Sequence, residues 1–180
     1  MKANKSSRLV IDASIARASG GVEAVHPTAT VVRDFLQQVL RICHRAVMTP
    51  ALKMEWDRHE SNFARKWRRS MVARKKLILL DLPERTDLRK AIDEGLASES
   101  EKSAMRKDFL LVEAAIATDE RIISLDDKVK ALFSTESKQI SDLRNVVWIN
   151  PDINPAGAMA LLRGEASQRQ WTLAAMSKDI

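Results

Sequence analysis

Four short apolar runs recur along this chain: Leu9-Val10-Ile11, Ala46-Val47-Met48, Ile122-Ile123 and Val146-Val147-Trp148-Ile149. Runs this short, bounded by turn-forming or charged residues, read as buried strands. Longer segments of helical period lie between them. Strands alternating with helices constrain the chain to an α/β fold with a mostly parallel, twisted central sheet flanked by helices. The first run ends on a carboxylate, Asp12, and no basic residue follows until Arg17. A core strand that delivers an unpaired charge to its own end calls for an explanation.

The helical segments are clear in outline. Residues 28–46 place Val32, Phe35, Leu36, Val39, Leu40 and Cys43 at spacings of three and four, so Cys43 reads as core. Residues 49–71 open with Thr49 as cap and Pro50 in the first turn, and the stripe Leu52, Trp56, Phe63, Trp67, Met71 keeps one helical phase. Further helices are expected over residues 84–96, after a capping box of Ser98 and Glu101, and over residues 107–117. The chain therefore reads as one domain over residues 1–150, with a helical elaboration at about residues 50–100. Residues 151–180 read as a tail of two short helices, packed on the domain or forming an interface.

Composition narrows the function classes. With 30 Lys and Arg against 24 Asp and Glu the net charge is +6, which favours a polyanionic or acidic partner. One cysteine and three scattered histidines, His26, His44 and His59, build neither a disulfide nor a zinc site. A reducing cytoplasm is the expected compartment. No apolar run is long enough for a signal-peptide core or a membrane span.

Four acids stand out. In doubly wound sheets, sites form at the carboxyl ends of the strands. Asp12 and Asp126 both follow a strand and emerge at one edge if those strands are parallel, although either also suits a helix cap. Asp108 opens a stretch in which eight of the nine residues 109–117 are apolar or Ala. A carboxylate at that core boundary needs a salt bridge, with Arg106, Lys107 or a more distant base, or a bound cation. Glu55 lies one turn into the helix after Pro50, where it suits the helix dipole and also returns towards the sheet edge. Carboxylates about 4 Å apart repel by about 4 kcal/mol per pair at an effective dielectric near 20. A protein that converges them must protonate some or bind a hard ion such as Mg²⁺ or Mn²⁺. Glu113 reads either as a supporting acid or as the exposed position of its helix, and Asp119 and Glu120 read as solvent-facing.

The stretches LVIDASI (residues 9–15), ALKMEW (51–56), KDFLLVEAAIA (107–117) and IISLDDKV (122–129) resemble, in order and spacing, the PIN domains, the nuclease fold shared by VapC-type toxin ribonucleases. The resemblance covers roughly residues 8–149. It implies a three-layer fold and a divalent-metal-dependent endoribonuclease that cleaves single-stranded RNA with a metal-activated water. Asp12, Glu55, Asp108 and Asp126 match the family's acids, and Ser14 and Ser124 match its hydroxyl positions. Asp127 doubles the fourth acid, so either residue fits that place. The resemblance also implies a toxin with an antitoxin protein as partner, and the C-terminal helices with Trp171 suggest a homodimer. The segment between Glu55 and Asp108 and the tail after Pro151 exceed the compact toxin pattern.

Nine basic residues against three acids fall within residues 53–76. Arg58, Arg65, Lys66 and Arg69 are the expected RNA contacts. Trp56, Phe63 and Trp67 offer stacking faces for bases, while their helical spacing favours the core. The rival reading is a non-catalytic PIN-like module that binds RNA or a protein.

Overall fold

The computed structural model describes residues 6–21, 23–95, 97–165 and 167–177. Five strands, β1 (Arg8–Ile11), β2 (Arg45–Met48), β3 (Leu77–Leu79), β4 (Arg121–Ile123) and β5 (Val147–Ile149), form one sheet in the order β3-β2-β1-β4-β5. Every pairing is parallel. Around the sheet lie α1 (Ala13–Ala18), α2 (Pro27–Arg41), α3 (Pro50–His59), α4 (Asn62–Ala73), α5 (Thr86–Asp93), α6 (Glu99–Ile116), α7 (Asp127–Glu136), α8 (Pro155–Arg163) and α9 (Leu173–Met176). The result is the expected three-layer α/β architecture. Among the described residues no helix is long and apolar enough to cross a membrane.

The inner strands read as continuous apolar runs because both faces of the sheet are covered. Leu9, Val10, Ile122 and Ile123 are fully buried, and Trp148 is 1% exposed. The chain lays β1 in the centre, steps outward through β2 to β3, then returns to the other side of β1 with β4 and β5. The direction of winding therefore reverses between β1 and β4. In open parallel sheets that switch point is where a crevice opens beyond the carboxyl ends of the strands.

Several expectations need correction. Residues 77–80 supply a fifth strand, β3, which sits at the sheet edge with Leu79 exposed and therefore lacks the burial of the other four. The helix expected over residues 28–46 ends at Arg41, so its periodicity stops before Cys43, whose side chain is exposed rather than core. The segment 49–71 is two helices with a corner at Glu60 and Ser61. Thr49 caps the first through Leu52 N–H, as expected, and Ser61 caps the second through Ala64 N–H. The corner is set by α1: Ser61 N–H donates to the Ala16 carbonyl, and its hydroxyl is 2.7 Å from the Ser19 hydroxyl.

The Ser98 and Glu101 capping box forms, but it opens one 18-residue helix, α6, so Asp108 lies in the middle of a helix and not at its start. The helix expected over residues 84–96 is the shorter α5, and Leu96 lies outside the described residues. Glu113 is neither exposed nor near the acidic site; it is buried in ion pairing with Arg89 and accepts from Arg85 N–H. Asp119 is held by Arg8 through side chain and backbone. The two tail helices are present as α8 and α9, and Leu161, Leu162 and Leu173 belong to the core. Val147 bridges to Thr172, so the tail is stitched to the outer strand.

Candidate active site

The first site residue is positioned by the sheet itself. Asp12 N–H continues the ladder by donating to the Ile123 carbonyl, and the Trp56 indole N–H donates to the Ile11 carbonyl at 2.9 Å. Asp12 precedes α1, yet its side chain makes no cap hydrogen bond. Its Oδ2 instead accepts from the Ser14 hydroxyl and, at 2.8 Å, from the Ser124 hydroxyl. Ser124, fully buried, also accepts from Asp126 N–H, and Ser14 accepts from Leu125 N–H. Two hydroxyls thus lash the first turn of α1 and the loop after β4 to one carboxylate. This leaves Oδ1 of Asp12 free of protein partners among the described residues.

Asp126 does act as a cap, accepting from Val129 N–H at 2.9 Å through Oδ1. Its neighbour Asp127 is engaged elsewhere, with Lys130 at 2.7 Å and the Asn150 amide at 2.6 Å. The doubled acid therefore divides: Asp126 faces the cavity that Asp12 lines, and Asp127 does not.

That cavity, of about 340 Å³, is lined by Asp12, Ser14, Glu55, Asp108 and Asp126 together with Arg17, His59 and Lys107. All four acids singled out in the sequence meet in it. The Asp108 carboxyl is pushed up to about 7, chiefly by burial and then by the charges of Asp12 and Asp126; Glu55 adds to the rise and Lys107 opposes it. None of the bases considered for Asp108 forms a salt bridge with it among the described residues. Glu55 is half-exposed and stands 3.6 Å from both Arg58 and His59.

Oxygen-only donors suit a hard divalent cation such as Mg²⁺ or Mn²⁺. An acid raised by burial and then by the charges of its acidic neighbours gains from a positive charge placed beside it, so the donor chemistry fits such an ion. Among the described residues no three His, Cys, Asp or Glu side chains stand together at ligating closeness. The acids line an open cavity as separate walls, and a cation there would have to draw them inward.

Sequence reasoning missed Arg17 and Lys107 as parts of the site. Among the described residues neither forms an ion pair, and both line the acidic cavity. Arg17 could have been found from position, since it lies three residues after Ser14 and so on the same face of the helix that follows Asp12. His59 had no signal beyond its spacing of four from Glu55.

The expected RNA contacts separate. Arg58 stands beside Glu55 at the cavity, whereas Arg65 pairs with Glu60, Lys66 is exposed, and Arg69 faces β3. The corner at residues 60–61 causes this, because it turns α4 away from the line of α3. Trp56 and Trp67 are buried and stacked on each other at 5.8 Å, so their faces serve the core and not nucleic-acid bases.

No protein-family model, curated protein or solved structure matches this chain.

Proposed function

We propose that this protein is a divalent-metal-dependent endoribonuclease that cleaves single-stranded RNA. The observation that carries the reading is the meeting of Asp12, Glu55, Asp108 and Asp126 in one cavity at the switch point of a parallel sheet. When bound, a Mg²⁺ or Mn²⁺ ion supplies charge neutralisation and the activation of water for in-line attack on a phosphodiester. The residues of the chain do the rest. Ser14 and Ser124 hold Asp12 in a single orientation, with one oxygen left for the site. In the cation-free site Asp108 carries the proton that relieves repulsion among the acids. Arg17 and Lys107, on the cavity wall, are placed to bind the phosphates flanking the scissile bond, and Arg58 extends that basic margin.

A toxin role, with an antitoxin protein as partner and a homodimer as the working form, belongs to the same reading, as does a cytoplasmic location. The non-catalytic alternative, a module that binds RNA or protein, has one observation in its favour: Glu55 stands close to Arg58 and His59, away from a closed ligand set.

The test is a gel assay of purified protein on a single-stranded RNA. Cleavage in Mn²⁺ that stops in chelator and in Asp12→Asn supports the nuclease. Retention of RNA in chelator with no product in Mn²⁺ supports the binding module instead.

A further inference from the structure

At the β3 edge of the sheet, sharing no lining residue with the acidic crevice, lies a groove of about 430 Å³. It is lined by Met48, Val72, Ala73, Leu77 and Leu79. Leu79 is 68% exposed and Val72 56%, an unusual outlay of aliphatic surface on a chain whose other strands are buried. The main chain beside it is unpaired. In the parallel register of β2 and β3, Ala46 N–H donates to the Lys76 carbonyl and Leu80 N–H donates to the Met48 carbonyl. The even-numbered residues of β3 therefore face β2, and the N–H and C=O groups of Leu77 and Leu79 point outward. Among the described residues no group from another element bonds them.

An open edge of this kind is a template for another strand, and natural edges are usually blunted by charge, proline or a bulge. Here Leu77-Ile78-Leu79 carries none of these. The charge on the rim decides what kind of strand fits. The lining contains Lys53, Arg68 and Arg69 and no acid. Lys53 and Arg68 are shared with Asp57 and Glu60, but Arg69 has no carboxylate partner among the described residues. The groove also adjoins the segment 53–76, with its nine bases against three acids.

We propose that the β3 edge is a docking site for an extended segment of another protein that carries aliphatic and acidic residues on one face, adding as a sixth strand. Residues i, i+2 and i+4 of the added strand share the face of Leu77 and Leu79, so its aliphatic side chains enter the groove beside Leu79 and Val72, and an acid two residues along on the same face meets Arg69. A second copy of this chain is disfavoured, because pairing β3 with itself brings two basic rims together. RNA is disfavoured too, since the lining is aliphatic and offers no aromatic face for a base. The proposal is independent of whether the acidic cavity cleaves RNA.

The probe is a twelve-residue synthetic peptide repeating Val-Thr-Glu-Thr, which puts Val and Glu on one face of a strand, titrated into the full chain and followed by backbone amide signals and hydrogen exchange. Binding is expected to shift and protect the amides of Leu77 and Leu79. Affinity should fall about tenfold or more in Arg69→Glu, in Leu79→Pro, and for the peptide with Lys in place of Glu. Proline at position 79 removes an N–H that the β2 ladder does not use, so the fold should survive, and the thermal midpoint checks this. The proposal is overturned if the peptide does not bind, if it binds without protecting those two amides, or if the Lys peptide binds as well. It is equally overturned if a twelve-residue oligouridylate displaces the peptide from the groove, or if the wild-type chain is a dimer that Leu79→Pro dissociates.

Discussion

Asp108 is the residue on which burial and charge act most strongly. Its carboxyl, raised to about 7, is protonated in the native state over a range in which the unfolded chain has already lost the proton. The stability that proton confers is fully present below the ordinary aspartate value near 4 and is lost as pH rises through about 7. Asp108→Asn mimics the protonated form at every pH. In chelator its thermal midpoint should match wild type near pH 4 and exceed it by roughly 5 °C at pH 8. A constant offset across that range would contradict the assignment.

His44 gives the opposite sign. It is buried, and its Nδ1 accepts from Ser7 N–H, which leaves Nε2–H to donate to the Leu162 carbonyl at 2.7 Å. Burial lowers its proton affinity; the Leu162 bond opposes this, while Arg121 and Lys76 add to the lowering. Its contribution is present above about pH 6.5 and is lost as pH falls through the depressed native value. His44→Gln should therefore flatten the decline in thermal midpoint between pH 7 and pH 5 relative to wild type, whatever its own offset.

At the scale of elements, the corner between α3 and α4 determines what the basic segment can reach. Ser61 fixes it by capping α4 and by its contact with the Ser19 hydroxyl. Ser61→Ala should cost about 1 kcal/mol in chemical denaturation, with no change in slope. The corner was hidden in the sequence because Trp56, Trp67 and Met71 keep an unbroken phase across it, and each is buried on its own side of the break. The β3 strand was hidden for a different reason. An edge strand of three residues follows the basic end of α4 and shows neither alternation nor a flanking turn signal strong enough to mark it. Cys43 was misplaced because periodicity says nothing about where a helix stops, and α2 ends two residues earlier.

Across the whole molecule, the α/β class and the acids after β1 and β4 were legible because strand ends need only local patterns, an apolar run and then an acid, whereas Glu55 and Asp108 lie within helices and stood out by position in the chain. The parallel topology supplied the convergence. The cationic wall of the site was not legible, since Arg17 and Lys107 are ordinary exposed helix residues until the fold brings them beside the acids. Net charge adds a prediction at this scale. Binding of single-stranded RNA in chelator should weaken steeply between 50 and 200 mM salt, values chosen for the assay. Arg17→Ala and Lys107→Ala should each reduce the log–log salt slope by roughly 0.7, as expected for the loss of one phosphate contact on a single strand. Lys130→Ala, which removes a base paired with Asp127, should leave the slope unchanged.

The central claim is that the acidic cavity takes a divalent cation, and Mn²⁺ uptake tests it most directly. Titration of Mn²⁺ at pH 8, read by the paramagnetic resonance signal of the free ion, should show saturable uptake by the wild-type chain and its loss in folded Asp12→Asn and Asp108→Asn. Absence of uptake by wild type, or equal uptake by both variants, would contradict it.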